Sequence, residues 1–171
     1  MSGKVIWFTG LAGAGKSTIA RGVYGELKRR HASSVYLDGD EMRAVLGGRA
    51  GFSPAERLEL GLTYGRLCRL LSGQGIHVVM ATISMFHVVY EWNRANLEDY
   101  CEVYVKASYE SLCRRDQKSL YSAVRRQVVG LDAVCEEPSR PDIVIDNDDG
   151  SVVGDHVDRV LREAGVLPQS V

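Results

Sequence analysis

Residues 4–17 read KVIWFTGLAGAGKS, a short apolar run that leads directly into a glycine-rich loop. A continuous apolar run of this length is typical of a strand buried on both faces of a parallel sheet. The loop has the spacing Gly-x-x-x-x-Gly-Lys-Ser, and apolar residues recur at helical spacing from Lys16 to about Arg30. Strand, loop and helix in this order predict a phosphate-binding loop, or P-loop.

The residue types in this loop predict ATP binding. Glycines let backbone N–H groups converge on phosphates, and the helix N-terminus adds partial positive charge. We expect Lys16 to bridge the β- and γ-phosphates, and the Ser17 hydroxyl to bind Mg²⁺. The predicted ATP-binding residues of the loop are Gly10, Gly13, Ala14, Gly15, Lys16 and Ser17. Two other interpretations are a glycine-rich turn that binds nothing and a nucleotide-binding regulator without chemistry.

Strand and helix patterns alternate along the rest of the chain. Further strands are predicted at residues 33–37, 76–81, 102–105 and 142–145, with helices at 40–46, 54–71, 86–97, 108–116 and 151–164. This alternation predicts an α/β fold of the three-layer P-loop NTPase type, with a mainly parallel, doubly wound sheet and ligands at the carboxyl ends of its strands. We expect one domain over residues 1–171, with a lid at about 117–141, where the pattern is weakest.

Composition and net charge argue against some classes of binding partner. The formal net charge of the 171 residues is -1, so no broad basic surface for nucleic acid or anionic lipid is indicated. The four cysteines lack the spacing of a zinc site or a disulfide framework. No signal peptide and no apolar stretch of the roughly 20 residues needed to span a membrane is seen. These patterns predict a cytoplasmic protein with neither a nucleic-acid nor a membrane partner.

Residues 37–43 read LDGDEMR, and they place two carboxylates and an arginine just after the second predicted strand. An acceptor for the phosphoryl group would lie at this edge of the sheet. One carboxylate, Asp38 or Asp40, can take or orient a hydroxyl proton while the other acts on the water shell of the metal. Arg43 can hold an anionic acceptor. We therefore predict Lys16, Asp38 and Asp40 as catalytic; the structural alternative is a turn in which Asp40 caps the next helix.

Over most of its length the chain resembles the adenylylsulfate kinase (APS kinase) family. The matching segments are residues 10–17, 37–40 with Arg43, 51–53 with Arg57, 83–84 with Arg94, 115–121 and 137–138. The resemblance implies transfer of the γ-phosphoryl of ATP to the ribose 3′-hydroxyl of adenylylsulfate by a homodimer. It also implies that Arg115 lies against the ATP base and that Lys118 reaches the phosphates from the lid. The acceptor-binding residues that we expect are Asp38, Asp40, Arg43, Phe52, Arg57, Ile83, Ser84, Met85 and Val128.

The sequence departs from the family pattern in the acceptor pocket. Leu60 replaces an asparagine that the family usually has, Met85 replaces a proline, and Val128 replaces a phenylalanine that stacks on adenine in the family. Residues 82–94 resemble a branch of APS-kinase-like enzymes from polysaccharide gene clusters. A member of that branch phosphorylates the 3′-hydroxyl of cytidine diphosphoramidate. Both acceptors therefore stay open, and the reaction type is the same for both.

Two hypotheses of other classes compete with a nucleotide 3′-hydroxyl kinase. A small-metabolite kinase of the gluconate or shikimate type would share the P-loop but not residues 118–121 before a nucleotide-gripping lid. A nucleotide-sensing partner protein would bind ATP without turnover on any acceptor.

Overall fold

Five parallel strands form a central sheet in the order β2-β3-β1-β4-β5. The structure is a computed structural model, and it describes residues 2–30, 32–47, 53–115, 135–148 and 152–166. The strands are β1 Val5–Thr9, β2 Ser34–Asp38, β3 His77–Ala81, β4 Tyr100–Lys106 and β5 Ile143–Asp146. The helices are α1 Lys16–Arg29, α2 Gly39–Val45, α3 Pro54–Ser72, α4 His87–Asn96, α5 Tyr109–Arg114 and α6 Val153–Glu163.

Strand β1 lies at the centre of the sheet, where the two cores cover its mainly apolar side chains on both faces. All five of its residues are buried. Val5 aligns with Val78 of β3 on one side and with Tyr100 of β4 on the other. Its side chains alternate between two cores, as the period of two along a strand requires. The central position brings the loop after β1 to the middle of the carboxyl edge.

The two cores lie on opposite faces of the sheet. Ile6 and Phe8 of β1 belong to one core, which also holds apolar side chains of α1 and α6. Val5 and Trp7 belong to the other, which α3 and α4 cover with side chains that include Tyr64. Helices on both faces of a parallel sheet form the three-layer, doubly wound arrangement that the alternation predicted. The predicted fold class is confirmed.

Element boundaries differ from the sequence-based ones by a few residues. Strand β4 is longer than predicted, since Tyr100 and Lys106 also pair with neighbouring strands. Helix α5 is shorter, because the chain leaves helical geometry at Arg115. Helix α3 begins where predicted, with Pro54 at its first turn and a capping box between Ser53 and Glu56. Most of the predicted lid, residues 117–134, lies outside the described residues, and so do residues 48–52.

Candidate functional site

The loop between β1 and α1 has the backbone geometry of a phosphate cradle. Gly10, Gly13 and Gly15 have φ values of 139°, 79° and 98°, a region that side chains with a Cβ atom rarely adopt. Gly10 is also constrained by space, since a Cβ atom there would lie 2.2 Å from the carbonyl oxygen of Val105. Glycine is therefore required at these positions of the loop for steric and conformational reasons.

Lys16 and Ser17 begin helix α1, where the backbone N–H groups of the first turn and the helix dipole favour an anion. The side chain of Lys16 is buried, with 8% of its surface exposed, and its Nζ donates to the carbonyl oxygen of Leu11 at 2.7 Å. The ammonium group is thus held over the loop. A buried lysine beside a row of backbone N–H groups is chemically suited to bind polyphosphate.

Asp38, the last residue of β2, links the second strand to the loop. Its Oδ2 atom accepts hydrogen bonds from the Ser17 hydroxyl at 2.8 Å and from the Tyr36 hydroxyl at 2.7 Å. Its Oδ1 atom accepts from the backbone N–H of Asp40 at 3.0 Å. Burial alone would raise the pKa of Asp38, but the hydrogen bonds from Tyr36, Ser17 and Asp40 outweigh burial and hold that pKa below its ordinary value.

The bond from the Asp40 N–H makes Asp38 the N-cap of helix α2. The alternative considered from the sequence gave the capping role to Asp40, and the structure corrects it. Asp38 has the extended backbone of a strand end, as an N-cap needs, whereas Asp40 already lies in the first helical turn. Capping and contact with Ser17 occur together in Asp38, because its two oxygens face different partners.

A cleft lies beside the loop, at the carboxyl ends of β2 and β3. It encloses about 520 Å³ of space open to solvent. Its lining combines charged, hydroxyl and apolar side chains. The lining residues are Gly39, Asp40, Arg43, Arg57, Leu60, Tyr64, Thr82, Ile83, Ser84, Met85 and Phe86.

Two arginines give the cleft its positive charge, and Asp40 adds one negative charge. Arg43 comes from α2 and Arg57 from the first turns of α3, and both are half-buried. The pKa of Arg57 is lowered, first by burial and then by the charge of Arg43. Two cations that disfavour each other in a partly desolvated cleft are stabilised by an anion placed between them. The cleft is therefore suited to a ligand with at least one anionic group.

The segment that returns to β5 packs on the rim of the cleft. The N–H of Glu136 donates to the carbonyl oxygen of Met85 at 3.0 Å, and the Glu136 carboxylate accepts from the N–H of His87 at 2.6 Å. The thiol of Cys135 lies 3.4 Å from the sulfur of Met85. These contacts hold Met85 inward, with 1% of its surface exposed. Residues 135–137 therefore fix one wall of the cleft.

Arg115 is linked to the P-loop through Asn147. Its Nη1 donates to the carbonyl oxygen of Asn147 at 2.7 Å, and the Asn147 amide donates to the carbonyl oxygen of Ala14 at 2.8 Å. Asn147 also packs so closely on Gly15 that a Cβ atom there would lie 2.2 Å from its Nδ2. Asn147 thus joins the end of β5 to the loop.

The structure brings most of the predicted acceptor residues into one cleft. The predicted residues that line it are Asp40, Arg43, Arg57, Ile83, Ser84 and Met85. Asp38 is not among the described lining residues, because its carboxylate faces Ser17 and Tyr36. Phe52, Lys118 and Val128 lie outside the described residues.

Several residues near the site did not stand out in the sequence. Tyr64 lines the cleft and donates to the carbonyl oxygen of Gly39 at 3.1 Å, and its position one helical turn after Leu60 was the available signal. Thr82 also lines the cleft, and it shares a hydrogen bond of 2.8 Å with Ser84, which was a predicted acceptor residue. Asn147 directly follows the last strand, the usual place for ligand-binding residues in such a sheet.

Arg94, which matches the family pattern, lies in a different cluster. It pairs with Asp142 at 3.2 Å and with the buried Glu102 at 3.6 Å, and its guanidinium lies 5.4 Å from the centre of the Tyr100 ring. This cluster joins α4 to the beginnings of β4 and β5, at the opposite edge of the sheet from the loop. Its role is therefore structural.

Comparison with known proteins gives consistent matches over most of the chain. A sequence model of the family described as adenylylsulphate kinase matches residues 2–146. Cytidine diphosphoramidate kinase of Campylobacter jejuni is 37% identical over 163 residues, which cover 93% of this chain and 95% of that protein. Adenylyl-sulfate kinase of Staphylococcus carnosus is 40% identical over 154 residues, covering 86% of this chain and 77% of that protein.

A solved structure also matches over nearly the whole chain. The Mycobacterium tuberculosis APS kinase CysC in complex with AMPPNP and APS has a TM-score of 0.87 with this chain at 28% identity, and the match covers 96% of this chain and 98% of the other. Among the described residues, none of the helices has the length and apolar character needed to cross a membrane.

Proposed function

The chain belongs to the adenylylsulfate kinase family, and on that premise we propose that it transfers the γ-phosphoryl group of Mg-ATP to the ribose 3′-hydroxyl of a nucleotide acceptor. One observation carries the proposal. The P-loop and a cleft with Asp40, Arg43 and Arg57 open side by side at the carboxyl edge of one sheet. A donor site next to an acceptor site is the arrangement that in-line transfer needs.

On the donor side, the N–H groups of the loop and the start of α1 would hold the phosphates of ATP. Lys16 would leave the Leu11 carbonyl, to which it is bonded at 2.7 Å, and turn to the β- and γ-phosphates. Its charge then stabilises the negative charge that spreads over the transferred group. We also place Arg115 on this side, next to the loop through Asn147.

The residues after the loop fit a magnesium ion. The Ser17 hydroxyl and the Asp38 carboxylate lie 2.8 Å apart, and both are hard oxygen donors of the kind that Mg²⁺ prefers. Ser17 would bind the ion directly, and Asp38 would hold Ser17 and the water shell of the ion. When bound, Mg²⁺ neutralises charge on the β- and γ-phosphates.

On the acceptor side, Asp40 lines the cleft and Asp38 is not among the described lining residues, so we assign Asp40 to the hydroxyl proton of the acceptor. Arg43 and Arg57 would bind the anionic groups of the acceptor. This division gives the two aspartates different tasks: Asp38 serves the donor side and Asp40 the acceptor side.

Two nucleotides are candidate acceptors, and both carry linked anionic groups next to a ribose. Adenylylsulfate is the acceptor that the family resemblance implies. Cytidine diphosphoramidate is favoured by the cleft wall, where Leu60 and Met85 stand at positions that differ from the family pattern. It is also favoured by the match to the C. jejuni relative over nearly the full length of both chains. We therefore place the cytidine compound first.

We further propose a homodimer in the cytoplasm. The homodimer follows from the family resemblance. A reducing compartment is supported by the cysteines, since all four are free and two of them, Cys68 and Cys101, are buried. Light scattering of the purified protein measures the assembly directly.

ATP consumption with Mg²⁺ and each acceptor, measured side by side, tests the proposed function. We expect turnover that depends on the acceptor and is faster with cytidine diphosphoramidate. Asp40→Ala should abolish transfer while leaving ATP binding intact. ATP binding without turnover on either nucleotide would instead favour a nucleotide-sensing protein and overturn the proposal.

A further inference from the structure

Tyr36 lies next to the site without lining it. Its ring comes from the middle of β2, and its hydroxyl donates to Oδ2 of Asp38 at 2.7 Å. The same oxygen accepts from Ser17 at 2.8 Å, and the other oxygen accepts from the N–H of Asp40 at 3.0 Å. Three donors from three elements thus fix both oxygens of one carboxylate.

The Tyr36 side chain is itself held on its outer side. The guanidinium of Arg21 lies 5.4 Å from the centre of the Tyr36 ring and pairs with Glu41 at 3.1 Å. The ring of Tyr24, also from α1, lies 6.0 Å away. These contacts from α1 limit the movement of the ring. The Tyr36 hydroxyl is therefore a donor in a defined position.

The hydrogen bond from Tyr36 differs in function from the other two hydrogen bonds to Asp38. The Asp40 N–H bond caps α2, and the Ser17 hydroxyl belongs to the donor side, where its oxygen would turn to Mg²⁺. Tyr36 has neither task, and it is not among the described residues that line the cleft. Its hydroxyl can keep its bond to Asp38 while the oxygen of Ser17 binds the ion and the Ser17 proton stays hydrogen-bonded to Asp38.

We infer that Tyr36 is a positioning residue for the proposed transfer, acting through Asp38. It holds the Asp38 carboxylate towards Ser17 while the donor side fills, so that the phosphoryl group and the acceptor hydroxyl stay aligned. This inference rests on the proposed function, because it assigns Asp38 to the donor side. It adds a residue that is not among the described residues lining the cleft.

The test compares Tyr36→Phe, which removes one oxygen atom, with Tyr24→Phe, which makes the same change in the neighbouring ring. We expect Tyr36→Phe to lower kcat about tenfold, the typical effect of losing a hydrogen bond to a charged group. The acceptor KM should stay within about twofold, since Tyr36 does not line the cleft. Tyr24→Phe should keep the wild-type kcat. Unchanged kcat in Tyr36→Phe, or an equal loss in both variants, would overturn the inference.

A second measurement does not depend on activity. In urea unfolding, Tyr36→Phe should lower the midpoint in the wild-type background and have no further effect in an Asp38→Ala background, where its partner is absent. Equal shifts in both backgrounds would show that the hydroxyl does not act through Asp38. If the wild-type protein turns over neither nucleotide, the proposed function fails, and this cycle still decides whether Tyr36 holds Asp38.

Discussion

Arg57→Met removes one of the two cations of the cleft while keeping the length and much of the apolar stem of the side chain. Arg57 is half-buried beside Arg43, and its pKa is lowered by burial first and by the charge of Arg43 second. The charged form of Arg57 is thus less stable in the folded protein without ligand than in the unfolded chain. We expect the variant to fold at least as stably as the wild type and to bind acceptor more weakly.

The size of the binding effect follows from the bond that is lost. A hydrogen bond between a charged donor and a ligand contributes about 1.5–3 kcal/mol. This corresponds to a roughly ten- to hundredfold rise in the acceptor KM. The KM for ATP should stay unchanged, because Arg57 lines the cleft and not the P-loop.

Steady-state kinetics with each substrate varied in turn, together with thermal unfolding, check both expectations. Arg66→Met is the matched control, since Arg66 lies on the same helix, is half exposed at 53%, and pairs only with Glu59 among the contacts described for it. It should have wild-type kinetics. An unchanged acceptor KM in Arg57→Met would refute the role of the arginine pair. A lower melting temperature together with equal rises in KM for both substrates would also refute that role.

Two further predictions concern stability. Glu102 is 1% exposed, and burial raises its pKa above the ordinary value of 4.5 despite the hydrogen bond from Tyr100. Glu102 therefore binds its proton more tightly in the folded protein than in the unfolded chain. Ionisation of Glu102 then lowers the free energy of unfolding as the pH rises from about 4.5 through the pKa of the folded state. Glu102→Gln should flatten that dependence in urea titrations at several pH values, and an unchanged slope would contradict the assignment. Gly65→Ala should destabilise by about 1–3 kcal/mol, because the new Cβ atom would lie 2.5 Å from Oδ1 of the buried Asn93. Gly25→Ala, with nothing within 4 Å of its Cβ position, should stabilise helix α1 by up to about 1 kcal/mol, and equal melting temperatures for the two variants would refute the packing argument.

The P-loop shows why some of the site was predictable from local pattern. A strand, a turn that needs glycine at three positions and a helix start form one continuous segment, so residue type and spacing carry nearly all of its geometry. Strands and helices were predictable for the same reason, since their hydrophobic periods are local. The ends of these strands and helices were less predictable, because strand pairing extends β4 at Tyr100 and Lys106 beyond its apolar run.

Contacts between distant segments were less predictable. Asn147 bonds to Ala14 across 133 positions, and Arg94 reaches Asp142 across 48, and no spacing rule connects such pairs. The Arg94 case shows the limit of pattern matching: the residue fits the family pattern, yet it stabilises the opposite edge of the sheet.

The sequence by itself determined that this chain is an α/β protein with a P-loop, two aspartates at the carboxyl end of the second strand, and the residue set of the adenylylsulfate kinase family. Only the tertiary structure decided which aspartate contacts the P-loop and which one lines the cleft. Asp38 and Asp40 are two positions apart, but the first ends a strand and the second lies in the first turn of a helix, so the Asp38 carboxylate is directed to Ser17 whereas Asp40 lines the cleft. That direction depends on how β2 pairs with β3 and on the donors that Tyr36 and Ser17 bring from the strand and from α1. Such directions are set by packing over long sequence distances, which residue spacing does not encode.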